Sequence, residues 1–204
     1  MRVRLLARVI ACVREAGPQV SMDELARAAG VSKPVLYDAF GDRRGVAMAV
    51  AHDLADTIER DVWTSFTTSH PPPHAPARLI RALVTTVLDV VGNDTDLYHF
   101  TVQSLRSSGV GLLDNPLAAR LHERASDLIA PVASPSEAGV ASILADGLFG
   151  FLLAAVESWL THGRRVDRDE LIDHLSVALH SGWNTFAAGD TVPASVPASN
   201  PARF

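Results

Sequence analysis

The sequence predicts an all-α protein of about nine helices, and three observations support this fold class. Apolar residues recur at spacings of three and four along nearly every segment, and no apolar–polar alternation is long enough for a strand. Glycine and proline residues divide the chain into segments of helical length. With 48% hydrophobic and 20% charged residues, the 204-residue chain has the composition of a folded globular protein.

The N-terminal fifty residues predict three short helices and the start of a fourth. Ser21 is a suitable N-cap for the second helix, and Glu24, three residues later, completes a capping box. Gly30 suits the left-handed position that ends this helix, and Ser32 is expected to cap the third. The predicted helices are Arg2–Ala16, Met22–Ala29, Lys33–Phe40 and, after a cap at Asp42, a long one to about Phe66.

The rest of the chain predicts five more helices after a proline-rich break at residues 70–74. The tail from Gly189 is rich in Ala, Ser and Pro, so we expect it to be poorly ordered. The expected domains are 1–45, 46–188 and the tail, 189–204. The five helices are Pro76–Val91, Asp94–Ser107, Pro116–Ile129, Glu137–Thr161 and Asp167–Ala187, with Gly92-Asn93 and residues 108–115 and 131–136 as linkers.

The most apolar segment, Val140–Leu160, does not predict a membrane span. Its uncharged part, between Asp146 and Glu157, is ten residues long, whereas a span needs roughly 20 apolar residues. A buried helix or a helix–helix interface is the better interpretation. The single cysteine, Cys12, excludes an internal disulfide and a multi-cysteine zinc site, and no signal peptide is apparent. We therefore expect a cytoplasmic protein without a membrane partner.

Charge is distributed unevenly along the chain, although its net value is −5. Residues 1–50 hold eight basic and five acidic residues, and residues 51–204 hold ten basic and eighteen acidic ones. A basic N-terminal quarter on an acidic body is expected when only a small part of a protein meets nucleic acid.

The second and third helices, with a tight turn between them, have the spacing of a helix-turn-helix. Leu36 and Phe40, four residues apart, would anchor the third helix from behind. The third helix could then lie in the major groove of double-stranded DNA. The side chains left facing outward are Lys33, Val35, Tyr37 and Asp38.

The run from Met22 to Arg44 resembles the TetR family of bacterial regulators. The characteristic parts are Ala-Gly-Val-Ser, then Leu-Tyr-x-x-Phe, then a basic residue opening the fourth helix, and the match covers about residues 5–50. The resemblance implies an N-terminal three-helix helix-turn-helix domain and a larger C-terminal helical domain for ligand binding and dimerisation. It also implies a homodimer that binds a palindromic operator as a repressor and is released from DNA by a small molecule. The residues of the expected pocket, given below, favour a mainly apolar ligand.

The resemblance also assigns DNA contacts. Ser21, Tyr37 and Arg43 match positions that contact phosphate. Lys33, the only lysine of the chain, and Val35 match positions that touch base edges, where lysine donates to guanine and a valine methyl meets thymine. Two departures, Asp38 and the glycine at position 41, weaken the attraction to phosphate. Asp38 must accept from a cytosine amino group or be repelled. The expected DNA-binding residues are Ser21, Ser32, Lys33, Val35, Tyr37, Asp38, Arg43 and Arg44.

The last two helices are the expected dimer interface. The helix Glu137–Thr161 is apolar nearly all round, so it should be buried on more than one face, and Asp167–Ala187 carries one apolar stripe. An effector pocket is expected among helices four to eight. Its candidate lining residues are Trp63, Phe66, Tyr98, His99, Phe100, Gln103, His122, Phe149, Leu152 and Trp159.

Sequence motifs for an enzyme or a metal site are missing. The eight histidines form no HExxH or comparable ligand pair, and no G-x-S-x-G or phosphate-binding glycine loop occurs. We therefore expect no catalytic residue, cofactor or metal. Three functions remain open: a ligand-released repressor, a regulator of the same fold that acts through a protein partner, and a helical binding or catalytic module that no longer binds DNA.

Overall fold

A computed structural model describes residues 1–67, 75–109, 119–120 and 138–187 of the chain. The described residues contain helices and turns and no strand, which confirms the all-α fold class. The helices are α1 (Arg2–Ala16), α2 (Met22–Ala29), α3 (Lys33–Phe40), α4 (Arg43–Thr67), α5 (Ala75–Asn93), α6 (Thr95–Ser107), α7 (Ala138–Thr161) and α8 (Arg168–Ala187).

Most helix boundaries agree with the sequence prediction, and two details are corrected. The predicted linker at Gly92-Asn93 is wrong, because α5 continues through Asn93 and only Asp94 separates it from α6. Ser32 occupies the N-cap position of α3, but its side chain makes no capping hydrogen bond. The helix predicted over Pro116–Ile129 lies outside the described residues except for positions 119 and 120.

The apolar side chains form two clusters, which we call the N-terminal core and the C-terminal core. The N-terminal core joins α1, α2 and α3 to the first turns of α4 and to one side of α6. The C-terminal core joins the later turns of α4 to α5, α7, α8 and the other side of α6. Val50 of α4 and Phe100 of α6 belong to the first cluster, whereas Ile58 and Tyr98 of the same helices belong to the second. Helices α4 and α6 therefore connect the two halves.

Ion pairs fasten α8 to α5 on the surface of the C-terminal half. Arg81 of α5 pairs with Asp173 at 2.6 Å, and Arg168, at the start of α8, pairs with Asp89 of α5 and with Asp169. These side chains are partly exposed, so each pair adds little to stability. They fix which face of α8 meets α5.

Helix α7 is the most apolar helix of the described chain. The segment Ile143–Thr161 is long and apolar enough to cross a membrane by length and composition, although only 28% of it is buried within the chain. A single such helix is weak evidence for a membrane span, because core and interface helices of globular proteins pass the same test. Several of its large apolar side chains are exposed: Val140, Ile143, Leu144 and Phe151.

Candidate nucleic-acid interface

Helix α2 is fixed at its start by a reciprocal capping box. The Ser21 hydroxyl accepts from the Glu24 backbone N–H at 3.3 Å, and the Ser21 backbone N–H donates to Glu24 Oε2 at 2.8 Å. The hydrogen bonds from Ser21 lower the pKa of the Glu24 carboxyl. Two backbone donors that the first turn would leave unpaired are thus satisfied.

The turn between α2 and α3 is held against α1. Gly30 adopts the left-handed conformation (φ 70°, ψ 32°), as the sequence predicts. The Arg8 guanidinium of α1 donates to the Ala29 carbonyl at 2.9 Å. A Cβ atom added at Gly30 would lie 2.8 Å from that guanidinium, so a larger residue would have to displace it as well as adopt a strained φ.

Helix α3 presents one face to the N-terminal core and the other to solvent. Leu36 is fully buried and Phe40 nearly so, which fixes the rotation of the helix. On the opposite side the Tyr37 side chain is 41% exposed, and Val35 is half-buried. Five of the expected DNA-binding residues are polar or charged and exposed: Ser21, Ser32, Lys33, Asp38 and Arg44.

Lys33 forms an ion pair within the helix-turn-helix. Its ammonium lies 2.9 Å from Asp23 Oδ1 of α2, and the hydrogen bond to Asp23 raises the pKa of Lys33. Both side chains are at least half exposed. Water and salt therefore screen the pair, and Lys33 can exchange Asp23 for another acceptor at small cost.

The structure places Arg43 differently from the other expected phosphate contacts. Its guanidinium donates to the carbonyls of Val20 and Pro18 and to the Ser104 hydroxyl of α6, and it lies 4.6 Å from the centre of the Phe100 ring. Partial burial lowers the pKa of Arg43. In this conformation the donors of Arg43 are taken up inside the protein, and the predicted contact with phosphate would require their release. Arg44, by contrast, is exposed.

Two further contacts join α1 and the loop after it to α6. Arg14 of α1 pairs with the Asp94 carboxylate, which precedes α6, at 2.6 Å, and Gln19 donates to Gln103 at 2.7 Å. Neither pair could be recognised in the sequence, because the partners are more than 75 positions apart and of ordinary surface type.

Comparison with known proteins identifies this motif. Residues 6–50 match the sequence model of the family described as bacterial regulatory proteins, tetR family. Residues 6–50 thus carry a helix-turn-helix of the TetR type. The family resemblance inferred from the sequence is confirmed for these residues, and the family is one of bacterial regulatory proteins.

Similarity to known proteins extends beyond the first fifty residues. The chain is 27% identical over 154 residues to the HTH-type transcriptional activator FasR of Mycolicibacterium smegmatis, covering 74% of this chain and 68% of FasR. The fatty acid degradation regulator FadR from Bacillus halodurans has a similar structure (TM-score 0.64, 16% identity, 87% and 93% of the two chains covered). Thermus thermophilus FadR, solved in complex with lauroyl-CoA, matches with a TM-score of 0.62 at 17% identity over 100% of both chains. At such identities the two structures establish the fold alone.

In the C-terminal half of the chain, the expected pocket residues do not all come together. Tyr98 and Leu152 are buried in the C-terminal core, and Phe149 and Trp159 are partly buried against it. His99, the residue after Tyr98, is partly buried with its ring 5.8 Å from the Tyr98 ring. These five side chains remain candidates for an effector site.

Two other expected pocket residues lie elsewhere. Phe100 is in the N-terminal core under Arg43, because the next residue along a helix points to a different side. Gln103 is exposed and bonded to Gln19. The side chains of Trp63 and Phe66, like all of His122, lie outside the described residues.

Tyr98 and Trp159 each use their polar atom inside the chain. The Tyr98 hydroxyl bonds to Glu157 of α7, and burial, together with this carboxylate, raises the pKa of Tyr98. The Trp159 indole N–H donates to the Val166 carbonyl at 2.9 Å. Glu157 was not among the predicted site residues. The available signal was its position as the first charge after ten uncharged residues.

Within the ranges that the structure describes, no three His, Cys, Asp or Glu side chains lie close enough together to hold a metal ion. Cys12, the single cysteine, is buried, and its pKa is raised by desolvation and by the neighbouring Glu24 and Glu15. A raised pKa disfavours the reactive thiolate.

Proposed function

We propose that the chain is a transcriptional repressor that binds a palindromic operator as a homodimer and leaves it when a mainly apolar small molecule binds the C-terminal half. The observation that carries the proposal is the orientation of α3. Its apolar side is buried against α2 and α4, so Lys33, Tyr37 and Asp38 are exposed on a helix that its neighbours hold in place. A braced helix with a free polar face is the arrangement that enters the major groove.

The predicted DNA-binding residues of the motif divide into two proposed roles. Lys33 and Val35 lie at the start of α3 and would read base edges, lysine at guanine and valine at a thymine methyl. Ser21, Ser32, Tyr37 and Arg44 would contact phosphate. Asp38 has no ion pair or hydrogen bond among the described residues, so its carboxylate is free to accept from a cytosine amino group.

Dimerisation is supported by the exposed apolar side chains of the last two helices. Ile143 of α7 is 71% exposed and Val177 of α8 is 66% exposed. A second copy packed across these helices would bury both and would place the two reading helices about one DNA turn apart, roughly 34 Å.

The direction of regulation is the finer part of the proposal. The similar FasR protein is named an activator, whereas release by a ligand is most simply the action of a repressor. A reporter fused to the operator, measured with and without the gene for this chain, decides between the two. The proposed place of action is the cytoplasm, with no catalytic step.

DNA binding is tested with footprinting and filter binding on the DNA that flanks the gene. We expect a protected palindrome and a complex that weakens with salt. Lys33→Met should weaken operator binding about tenfold and reduce the preference for guanine at one position of each half-site. Arg165→Met, which removes an exposed charge from the turn between α7 and α8, is the matched control and should change affinity little.

The alternative function is a helical binding module of the same fold that acts through a protein partner or without DNA. Absence of any salt-sensitive complex with DNA would favour that reading. If the protein binds DNA, ligands are screened for two effects: a higher melting temperature of the protein and release of the DNA. If no ligand has both effects, a regulator that responds to a protein partner is favoured.

A further inference from the structure

A buried carboxylate oxygen in the C-terminal half has no partner. Glu157 lies near the end of α7, and its carboxylate accepts from the Tyr98 hydroxyl. The residue as a whole is partly exposed, but its Oε2 atom is buried and has no hydrogen bond among the described residues.

The residues that precede Glu157 on α7 are mostly apolar. Leu152, Leu153 and Val156, on the preceding turn and a half of α7, are each almost fully buried. Tyr98 itself belongs to the C-terminal core. A carboxylate oxygen that is removed from water without a donor is costly, and native proteins keep few such atoms without a reason.

Tyr98 supplies one hydrogen-bond donor, and a carboxylate can accept several. Oε2 therefore keeps unused acceptor capacity in the half of the molecule that also holds four candidate side chains of the effector site, His99, Phe149, Leu152 and Trp159. A ligand bound there would meet a hydrogen-bond acceptor among mainly apolar side chains.

We propose that Glu157 Oε2 binds a hydrogen-bond-donating head group, an ammonium or a hydroxyl, of the apolar effector, and that it discriminates against effectors that end in a carboxylate. The inference rests on the proposed effector site and specifies its ligand. An anionic head group would bring two carboxylates together in an apolar environment, where repulsion is weakly screened.

The experiment compares ten-carbon ligands that differ only at the head group: decylamine, decanol, decanoate and decane. Their affinities for the full-length protein are measured by calorimetry below their aggregation concentrations. Release of operator DNA is measured in parallel. We expect decylamine and decanol to bind at least about tenfold more tightly than decanoate, because a hydrogen bond to a charged group contributes strongly in an apolar site.

Substitution at position 157 gives the sharper result. Glu157→Gln keeps an oxygen for Tyr98 and presents an amide N–H₂ in place of Oε2, so the preference for decylamine over decanoate should be lost or reversed. Glu170→Gln removes one exposed carboxylate from the first turn of α8 and should leave the preference unchanged. Tyr98→Phe frees the second carboxylate oxygen and should increase the preference for decylamine.

The outcomes separate the two proposals. If all four ligands release DNA with equal affinity, or if E157Q behaves like the wild type, the effector site stands and the role of Glu157 is wrong. If decanoate binds most tightly, the role is overturned directly. If no ligand binds or releases DNA, the effector proposal fails and this inference fails with it.

Discussion

The two halves of the chain differ in how completely they bury their apolar surface. In α2 and α3 every large aliphatic side chain is buried or partly buried. The start of α2 is capped by Ser21, and Arg8 holds the turn between the two helices. Helices α7 and α8 leave Ile143, Phe151 and Val177 exposed, and each carries a buried polar atom without a partner. Helices α2 and α3 thus bury their apolar side chains within one chain, whereas the exposed apolar faces of α7 and α8 are the surfaces that the proposed second copy would cover.

The largest effect should come from the N-terminal core. Leu36→Ala removes a fully buried side chain from α3 and should lower the free energy of unfolding by about 2–5 kcal/mol, because it leaves a cavity. Leu152→Ala in the C-terminal core is the matched control, with a similar loss expected. Denaturant unfolding measures both changes. Only the Leu36 variant should lose operator binding at a temperature where both remain folded; equal DNA affinities would contradict the separation of the halves.

The exposed face of α7 provides the next test. Ile143→Glu should convert the dimer to a monomer in sedimentation experiments and raise the dissociation constant at least about hundredfold, because an unpaired carboxylate would be buried at the interface. Val3→Glu is the control, since Val3 is equally exposed but lies in α1. If the Ile143 variant stays dimeric and the Val3 variant becomes monomeric, the dimer interface lies in the N-terminal half instead.

Arg43 tests the connection between the halves. Arg43→Met loses hydrogen bonds to the α1–α2 loop and to Ser104, so unfolding should become easier by about 2 kcal/mol. Arg44→Met, the exposed neighbour, should leave stability unchanged and reduce the salt dependence of DNA binding by about one phosphate contact. A stable Arg43 variant with the reduced salt dependence would return Arg43 to the phosphate-contact set.

The helix-turn-helix of α2 and α3 could be predicted from the sequence because residues close together in the sequence determine its structure. The capping box at Ser21, the left-handed Gly30 and the burial of Leu36 and Phe40 all follow from residues a few positions apart. The structure differs from the prediction where a side chain contacts a residue that is far away in the sequence. Arg43 turns inward because Val20, Pro18 and Ser104 surround it, and only the folded chain brings Ser104, 61 positions away, to that place.

The candidate effector site in the C-terminal half was harder to predict for a physical reason. A helix that is apolar nearly all round gives no period by which to assign its faces. Tyr98 and Phe100 lie on another helix, α6, and face different cores because residues two positions apart point to nearly opposite sides of a helix. Glu157 was missed because a single charge in an apolar segment has no sequence partner; its partner, Tyr98, lies on another helix.

The buried Tyr98 hydroxyl makes the C-terminal core sensitive to alkali. Its folded-state pKa is raised above the usual value near 10, so the neutral form stabilises the folded state below pH 10. As pH rises further, the unfolded chain ionises Tyr98 and the folded chain does not. Stability should then fall by about 1.4 kcal/mol per pH unit. Denaturant titrations of wild type and Tyr98→Phe between pH 9 and 11 should show this fall in their difference; parallel curves would exclude the Tyr98 contribution.

The smallest expected effect is the difference in stability between substitutions at Ser21 and at Ser32 of the helix-turn-helix. Ser21→Ala removes a capping bond and should lower stability by about 1 kcal/mol. Ser32→Ala should leave stability unchanged, because its hydroxyl makes no capping bond. Both serines are proposed to contact phosphate, so both variants should weaken operator binding. If Ser32→Ala changes neither property, its hydroxyl has no role in the helix or on DNA, and the phosphate contacts of the motif reduce to Ser21, Tyr37 and Arg44.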